Sequence, residues 1–138
     1  MKTFIIALVV LGILLTGVFM YSDYIKKVDS SLRTVIENIE KNTENEEWNS
    51  AQNELKILND IWKKDEKILA MFNDHEDLDK IKLEISELSE SIDYKNKEHS
   101  QKAIANIRVH LERLVKNESM SFENVLKMSQ LIISCHIM

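Results

Sequence analysis

The chain contains no proline, and its only two glycines are Gly12 and Gly17. The two strongest chain punctuators are thus missing from everything that follows, which excludes a many-turned β architecture and favours long helices. A lone cysteine, Cys135, excludes an intramolecular disulfide framework and a CxxC site. With no glycine after Gly17, a glycine-rich phosphate loop is excluded as well. Basic excess is also lacking: the net charge is −5, with both signs interspersed. Such a mixture reads as solvated helix faces. It excludes nucleic acid as a partner, because no basic stripe is present to neutralise phosphates.

What the chain does have is one long uncharged run, "FIIALVVLGILLTGVFMY", from Phe4 to Tyr21. As a helix it is about 27 Å long, close to the roughly 30 Å hydrocarbon core of a bilayer. Its twelve Leu, Ile, Val and Phe residues favour insertion by around 5 kcal/mol. Val18 to Tyr21 are all bulky, so no small-x-small cleavage site follows and an uncleaved anchor is expected. Tyr21 and Tyr24 fall where an interfacial aromatic belt would lie. Lys26, Lys27 and Arg33 by themselves would hold the long side in the cytoplasm. Asp23 and Asp29 dilute that cluster, and a short N-terminal tail before an anchor commonly stays inside, so the expectation is a single-pass protein with an extracytoplasmic C-terminal domain.

Four apolar seams follow. Tyr21, Ile25, Val28, Leu32, Val35 and Ile39 alternate at spacings of four and three, starting where the anchor ends. No breaker separates anchor and seam, so one helix should carry both. "KNTENE" breaks the pattern, with Asn42, Thr43 and Asn45 suited to turns and Glu44, Glu46 and Glu47 to capping. Trp48, Ala51, Leu55, Leu58, Trp62, Asp65, Leu69 and Phe72 form the second seam. Two heptads separate the tryptophans, so both lie on one face about 21 Å apart and read as core rather than as ligand-stacking platforms. "FNDHEDLD" turns the chain, with Asn73 or Asp74 as cap. Leu78, Ile81, Ile85, Leu88 and Ile92 make the third seam. After "DYKNKEHS" the fourth uses Ile104, Ile107, Leu111 and Leu114, continuing through Phe122, Val125 and Leu126.

The expected fold is all-α: an N-terminal transmembrane helix (1–21), an antiparallel bundle of about four helices running up-down-up-down (22–126), and an apolar tail (127–138). The rival, one extended dimeric coiled coil, is disfavoured by the three polar interruptions. In an up-down-up-down path helix four returns towards the bilayer, where the tail "LIISCHIM" would make a peripheral contact; at about 12 Å as a helix it is too short to cross.

Chemistry is sparse. His75, Glu76, Asp77 and Asp79 are the sharpest candidates for a metal, since His75 and Asp79 share a helical face. No second ligand pair accompanies them, and the plainer reading is an acidic helix start favoured by the dipole. "DHEDLDKIKLE" lacks the central glycine of a calcium loop. Asp65, on an apolar seam, needs a partner from another segment, such as a lysine, unless it sits at a wet end. His99, His110 and His136 have neither metal nor triad spacing, and Asn117 opens a formal glycosylation sequon. No catalytic, cofactor-binding or metal residue is assigned.

Behind the anchor come Trp48-x-x-Ala51, Leu55, Leu58 and Trp62, then His75-Glu76-x-x-Asp79. Leu111, Leu114, Glu118 and Asn124-Val125-Leu126 complete the pattern. This resembles an uncharacterised family of short, membrane-anchored helical proteins of Gram-positive bacteria, a domain of unknown function, over about residues 1–126. The resemblance implies an anchor and a helical domain and supplies no activity; the tail from Lys127 to Met138 runs past the usual end. The leading expectation is a non-catalytic interaction or scaffold module, accessory to an envelope complex. Its expected partners are the bilayer, through residues 4–21, and a protein, with a homo-oligomer as a further option. The alternatives are an extracytoplasmic small-molecule sensor relaying through a partner, and a metal-dependent enzyme using the His75–Asp79 cluster. A sensor needs a pocket with convergent polar groups, whereas a contact module needs none.

Overall fold

The computed structural model describes the backbone of residues 2–136 and the side chains of residues 5–116. Four helices account for it: α1 (Lys2–Glu44), α2 (Trp48–Leu69), α3 (His75–Asp93) and α4 (Lys97–His136). No strand occurs among the described residues. The hairpins α1–α2 and α3–α4 pack most closely. Contact of α1 with α4 closes the ring, and the α2–α3 seam is the loosest. This is the expected antiparallel bundle of four helices.

α1 runs without interruption from the apolar stretch into the bundle. It is long and apolar enough to cross a membrane, and none of the described residues of its apolar part is buried. Burial begins abruptly at Ile25. We call the end of the bundle from which the apolar stretch departs the foot.

Every aliphatic seam position expected from Ile25 to Leu114 is buried. The stripe on α1 is wider than a strict seam, since Ile36 is also fully buried. A helix wedged between two neighbours, here α2 and α4, must cover a broader face than one in a two-stranded coil. Arg108 of α4 grips Glu40 of α1 with two bonds of 3.0 and 2.7 Å, fastening that closing contact from outside.

At the far end the two hairpins share one turn geometry. Glu46 and Lys95 both adopt left-handed backbone, with φ of 60° and 53°. Around each, the next amide reaches back to Asn42 or Ser91, while the amides of Glu46 and Lys95 themselves reach Thr43 and Ile92. This is the Schellman closure, which usually recruits glycine. The shift from Glu46 to Lys95 also carries the buried Leu32, Ile36, Ile39, Leu55 and Leu58 onto the buried Ile81, Ile85, Leu88, Ile104 and Ile107. At these positions the second hairpin is a copy of the first in register. Trp62 and Asp65 stand where the second copy has Leu111 and Leu114.

Several local expectations need correction. Asn42 and Thr43 belong to α1, whose helix runs to Glu44 because their backbone carbonyls close the turn. Thr43 is fully buried, its hydroxyl donating to the Glu40 carbonyl. The glutamates do not cap: Glu47 holds the N-cap position of α2 without a side-chain bond. In the second copy Asn96 caps α4, its Oδ1 accepting from the His99 amide at 3.1 Å. Phe72 is not a core residue, because α2 ends at Leu69 and Phe72 lies exposed in the turn.

The non-glycine turns give a direct prediction. Placing a non-glycine residue in left-handed backbone costs on the order of 1 kcal/mol, and Glu46 and Lys95 are both exposed. Glu46→Gly and Lys95→Gly should each stabilise the bundle by about 0.5–1 kcal/mol, read as a higher urea midpoint of the detergent-solubilised chain. Two losses instead of gains would mean that the turns are not held in this geometry.

Candidate functional site

The foot of the bundle carries the fold's least ordinary residues. Asp65 is 6% exposed although it sits on an apolar seam. Its partner is Tyr24 of α1, whose hydroxyl donates to Oδ1 at 2.6 Å. The expected partner from another segment is thus present, but it is a tyrosine and not a lysine. Lys63, Lys64 and Lys67 are exposed on α2, while Tyr24 packs against the core. Burial, then the bond to Asp65 and then its charge, push the Tyr24 hydroxyl from the usual 10 up to about 12.

One turn nearer the apolar stretch, Tyr21 meets the α2–α3 turn. Asn73 donates from Nδ2 to the Tyr21 hydroxyl at 2.8 Å and to the Leu69 carbonyl at 3.0 Å. The Phe72 ring lies over that of Tyr21, with centroids 4.0 Å apart and planes tilted by 38°. Both tyrosines, which stand where the sequence would put an interfacial aromatic belt, are therefore turned onto the bundle. Asn73 is likewise drawn to Tyr21, leaving Asp74 as the cap of α3, with its Oδ1 accepting from the Glu76 amide at 3.0 Å.

The expected metal candidates remain a helix start. His75, Glu76 and Asp79 are exposed. Glu76 is drawn to Lys80, one turn along, at 2.6 Å. Among the described residues no three His, Cys, Asp or Glu side chains converge. His99 is exposed on the first turn of α4, and His110 is half-buried with its Nδ1 enclosed. His136, Cys135, Asn117 and the tail lie outside the residues whose side chains are described.

A second place has the makings of a binding groove. Between α2 and α3, in the loosest seam, a half-open groove of about 430 Å³ is lined by Asn59, Trp62, Lys63, Glu66, Lys82 and Ser86, among others. Lys82 and Glu66 face each other across it at 3.4 Å. Trp62 is 3% exposed, and its indole Nε1 has no hydrogen-bond partner. The volume lies within the range of small-molecule pockets, and buried indole N–H groups are ordinarily satisfied. Trp62 is thus core, as expected, and also part of the groove's wall. Trp48 is only half-buried at the edge of the core.

A family described as Domain of unknown function (DUF4363) matches residues 19–125. The chain belongs to this family. No curated protein and no solved structure matches it. The DUF4363 match covers the bundle and opens at Phe19, so the foot residues Tyr21, Tyr24, Asp65 and Asn73 all fall inside the family's domain. The apolar stretch lies almost wholly before it, which narrows the resemblance seen in the sequence.

The foot was half legible beforehand. A carboxylate on an apolar seam announces the need for a partner. Tyr24 gave no such signal, since it stands beside the seam residue Ile25 and not on it. The hydroxyl cluster at the far end was missed altogether. Ser91 and Ser100 are buried with their hydroxyls 2.9 Å apart and each in reach of a backbone carbonyl, so that their two protons always find an acceptor and small polar residues pass for core.

The Tyr24 hydroxyl sets a pH dependence. Its folded pKa of about 12 lies above the ordinary 10, so the folded state holds this proton more tightly than the unfolded chain. The contribution is complete below pH 10 and is lost as the pH rises towards 12. Urea midpoints should fall across that window, and Tyr24→Phe should flatten the fall relative to the parent chain. An unchanged slope would separate Tyr24 from alkaline unfolding.

Proposed function

We propose that this chain is a non-catalytic, single-pass membrane protein that works by contact, with residues 4–21 as anchor and the bundle as a scaffold or accessory module for an envelope protein. The observation that carries this reading is the continuity of α1. One helix leads from the uncovered apolar stretch into the core of the bundle without a break. A bundle joined in this way cannot swing freely, so a partner meets it at fixed height and orientation. The interior fits this role: the buried carboxylate is committed to Tyr24, and apart from Trp62 the core is aliphatic, with the buried hydroxyls of Thr43, Ser91 and Ser100 bonded internally. We place the bundle on the extracytoplasmic side, since a short N-terminal tail before an anchor commonly stays inside and Asp23 and Asp29 dilute the basic cluster beyond it.

The test is crosslinking in living cells from photoreactive residues placed at exposed positions such as Ile57, Leu83 and Val109, with partners identified by mass spectrometry. A reproducible envelope-protein partner supports the module and reports its side of the membrane. Crosslinks to nothing but the chain itself would count against it.

The α2–α3 groove favours a second reading, a sensor that binds a small molecule carrying a hydrogen-bond acceptor. Trp62 offers its own readout: a ligand seated there should shift indole emission in the parent chain, and Lys82→Ala should weaken that response. No shift with any metabolite pool of the host would retire the sensor.

A further inference from the structure

The three connections of the fold differ in kind. At the far end, Asn45-Glu46-Glu47 and Tyr94-Lys95-Asn96 are mostly polar, as turns in water should be. At the foot, the chain leaves α2 through Ile68, Leu69, Ala70, Met71 and Phe72. Leu69 is buried, but Ile68, Met71 and Phe72 are 39%, 75% and 60% exposed. Three large exposed apolar side chains within five residues at one turn are a poor choice for a water-facing surface.

Their location supplies the reason. Phe72 packs on Tyr21 at 4.0 Å, and Asn73 bonds the Tyr21 hydroxyl. Tyr21 closes the apolar run, and Phe19 and Met20 just before it are exposed. The tip of the α2–α3 turn is therefore held at the depth where the apolar stretch of α1 ends.

From these contacts we infer that the α2–α3 turn inserts into a lipid surface, with Ile68, Met71 and Phe72 entering the headgroup–acyl boundary beside α1. The inference rests on the reading of residues 4–21 as an anchor. Aromatic and aliphatic side chains at this depth are favourably buried, and a second point of contact fixes the tilt of the bundle as well as its height. Lys26, Lys27, Lys64 and Lys67 are exposed about one to two turns further from the tip, where long cationic side chains reach lipid phosphates. Asp74, Glu76 and Asp77 crowd the same end on α3, so the contact is apolar insertion and not electrostatic adsorption. Salt should leave it in place.

The test uses the full chain with Cys135→Ser, reconstituted in phosphatidylcholine–phosphatidylglycerol vesicles. One nitroxide label is introduced at a time, through Met71→Cys, Lys95→Cys or Leu11→Cys. Accessibility to oxygen, which concentrates in lipid, is compared with accessibility to a water-soluble nickel chelate. The label at 71 is expected to favour oxygen, towards the behaviour of the label at 11, while that at 95 favours nickel. If 11 reads as lipid but 71 reads like 95, the turn stays in water and the inference falls while the anchor stands. If 11 itself reads as water, the anchor falls and this inference with it.

Discussion

Trp62→Ala should cost about 3–5 kcal/mol, the usual loss for truncating a buried aromatic. The side chain is 3% exposed, packed into the core while forming part of the groove's wall. Trp48→Ala should cost well under half as much, because that ring lies half-buried at the edge of the core. The two tryptophans are sequence twins two heptads apart, and a pattern argument would rank them equal. Urea unfolding of each variant in detergent, followed by circular dichroism, decides the order. Equal losses would mean that Trp48 is buried by something absent from the isolated chain, such as a second copy or a partner. Trp62→Leu is the informative companion, since Leu111 fills the corresponding place in the second hairpin and the unpartnered indole N–H would be removed.

The second large effect concerns the pair at the foot. Tyr24→Phe leaves the Asp65 carboxylate without its 2.6 Å donor. Losing a hydrogen bond to a charged group should cost about 1.5–3 kcal/mol. Asp65→Leu alone should cost less, because it also removes the buried charge. The double variant Tyr24→Phe/Asp65→Leu should come close to the parent chain or exceed it, since replacing both partners of a buried polar pair is often neutral or stabilising. Leu114, the counterpart of Asp65 in the second hairpin, shows that this register accepts leucine. Additive losses in the cycle would mean that the two side chains do not act on each other. If the double variant is indeed stable, the pair is not needed for stability, and its place between α1 and the α2 terminus points to positioning of the foot.

The measurements complement each other. Trp62 reports on the loosest seam, between α2 and α3, whereas Tyr24 and Asp65 report on how α1 enters the bundle. The first bears on whether a ligand could reach the groove. The second bears on how rigidly the apolar stretch is tied to the domain.

By itself the sequence determined the helices, their order and their buried faces. The absence of proline, and of glycine past Gly17, left nothing to interrupt them, and three-four spacing of the apolar residues beyond Tyr21 marks one face of each helix for burial. The anchor candidate was equally plain, since eighteen uncharged residues in a row, Phe4 to Tyr21, need no partner to be recognised. The tertiary structure decided the rest. That Asp65 is met by Tyr24, that Asn73 serves Tyr21 while Asp74 caps α3, and that Glu47 fails to cap where Asn96 succeeds all depend on the relative rotation of neighbouring helices and on turn geometry. A one-dimensional pattern carries neither. The unequal fate of the two tryptophans has the same origin. Periodicity says which side of a helix faces inward, but the depth of burial depends on what stands opposite, and that is known only once four helices share one core.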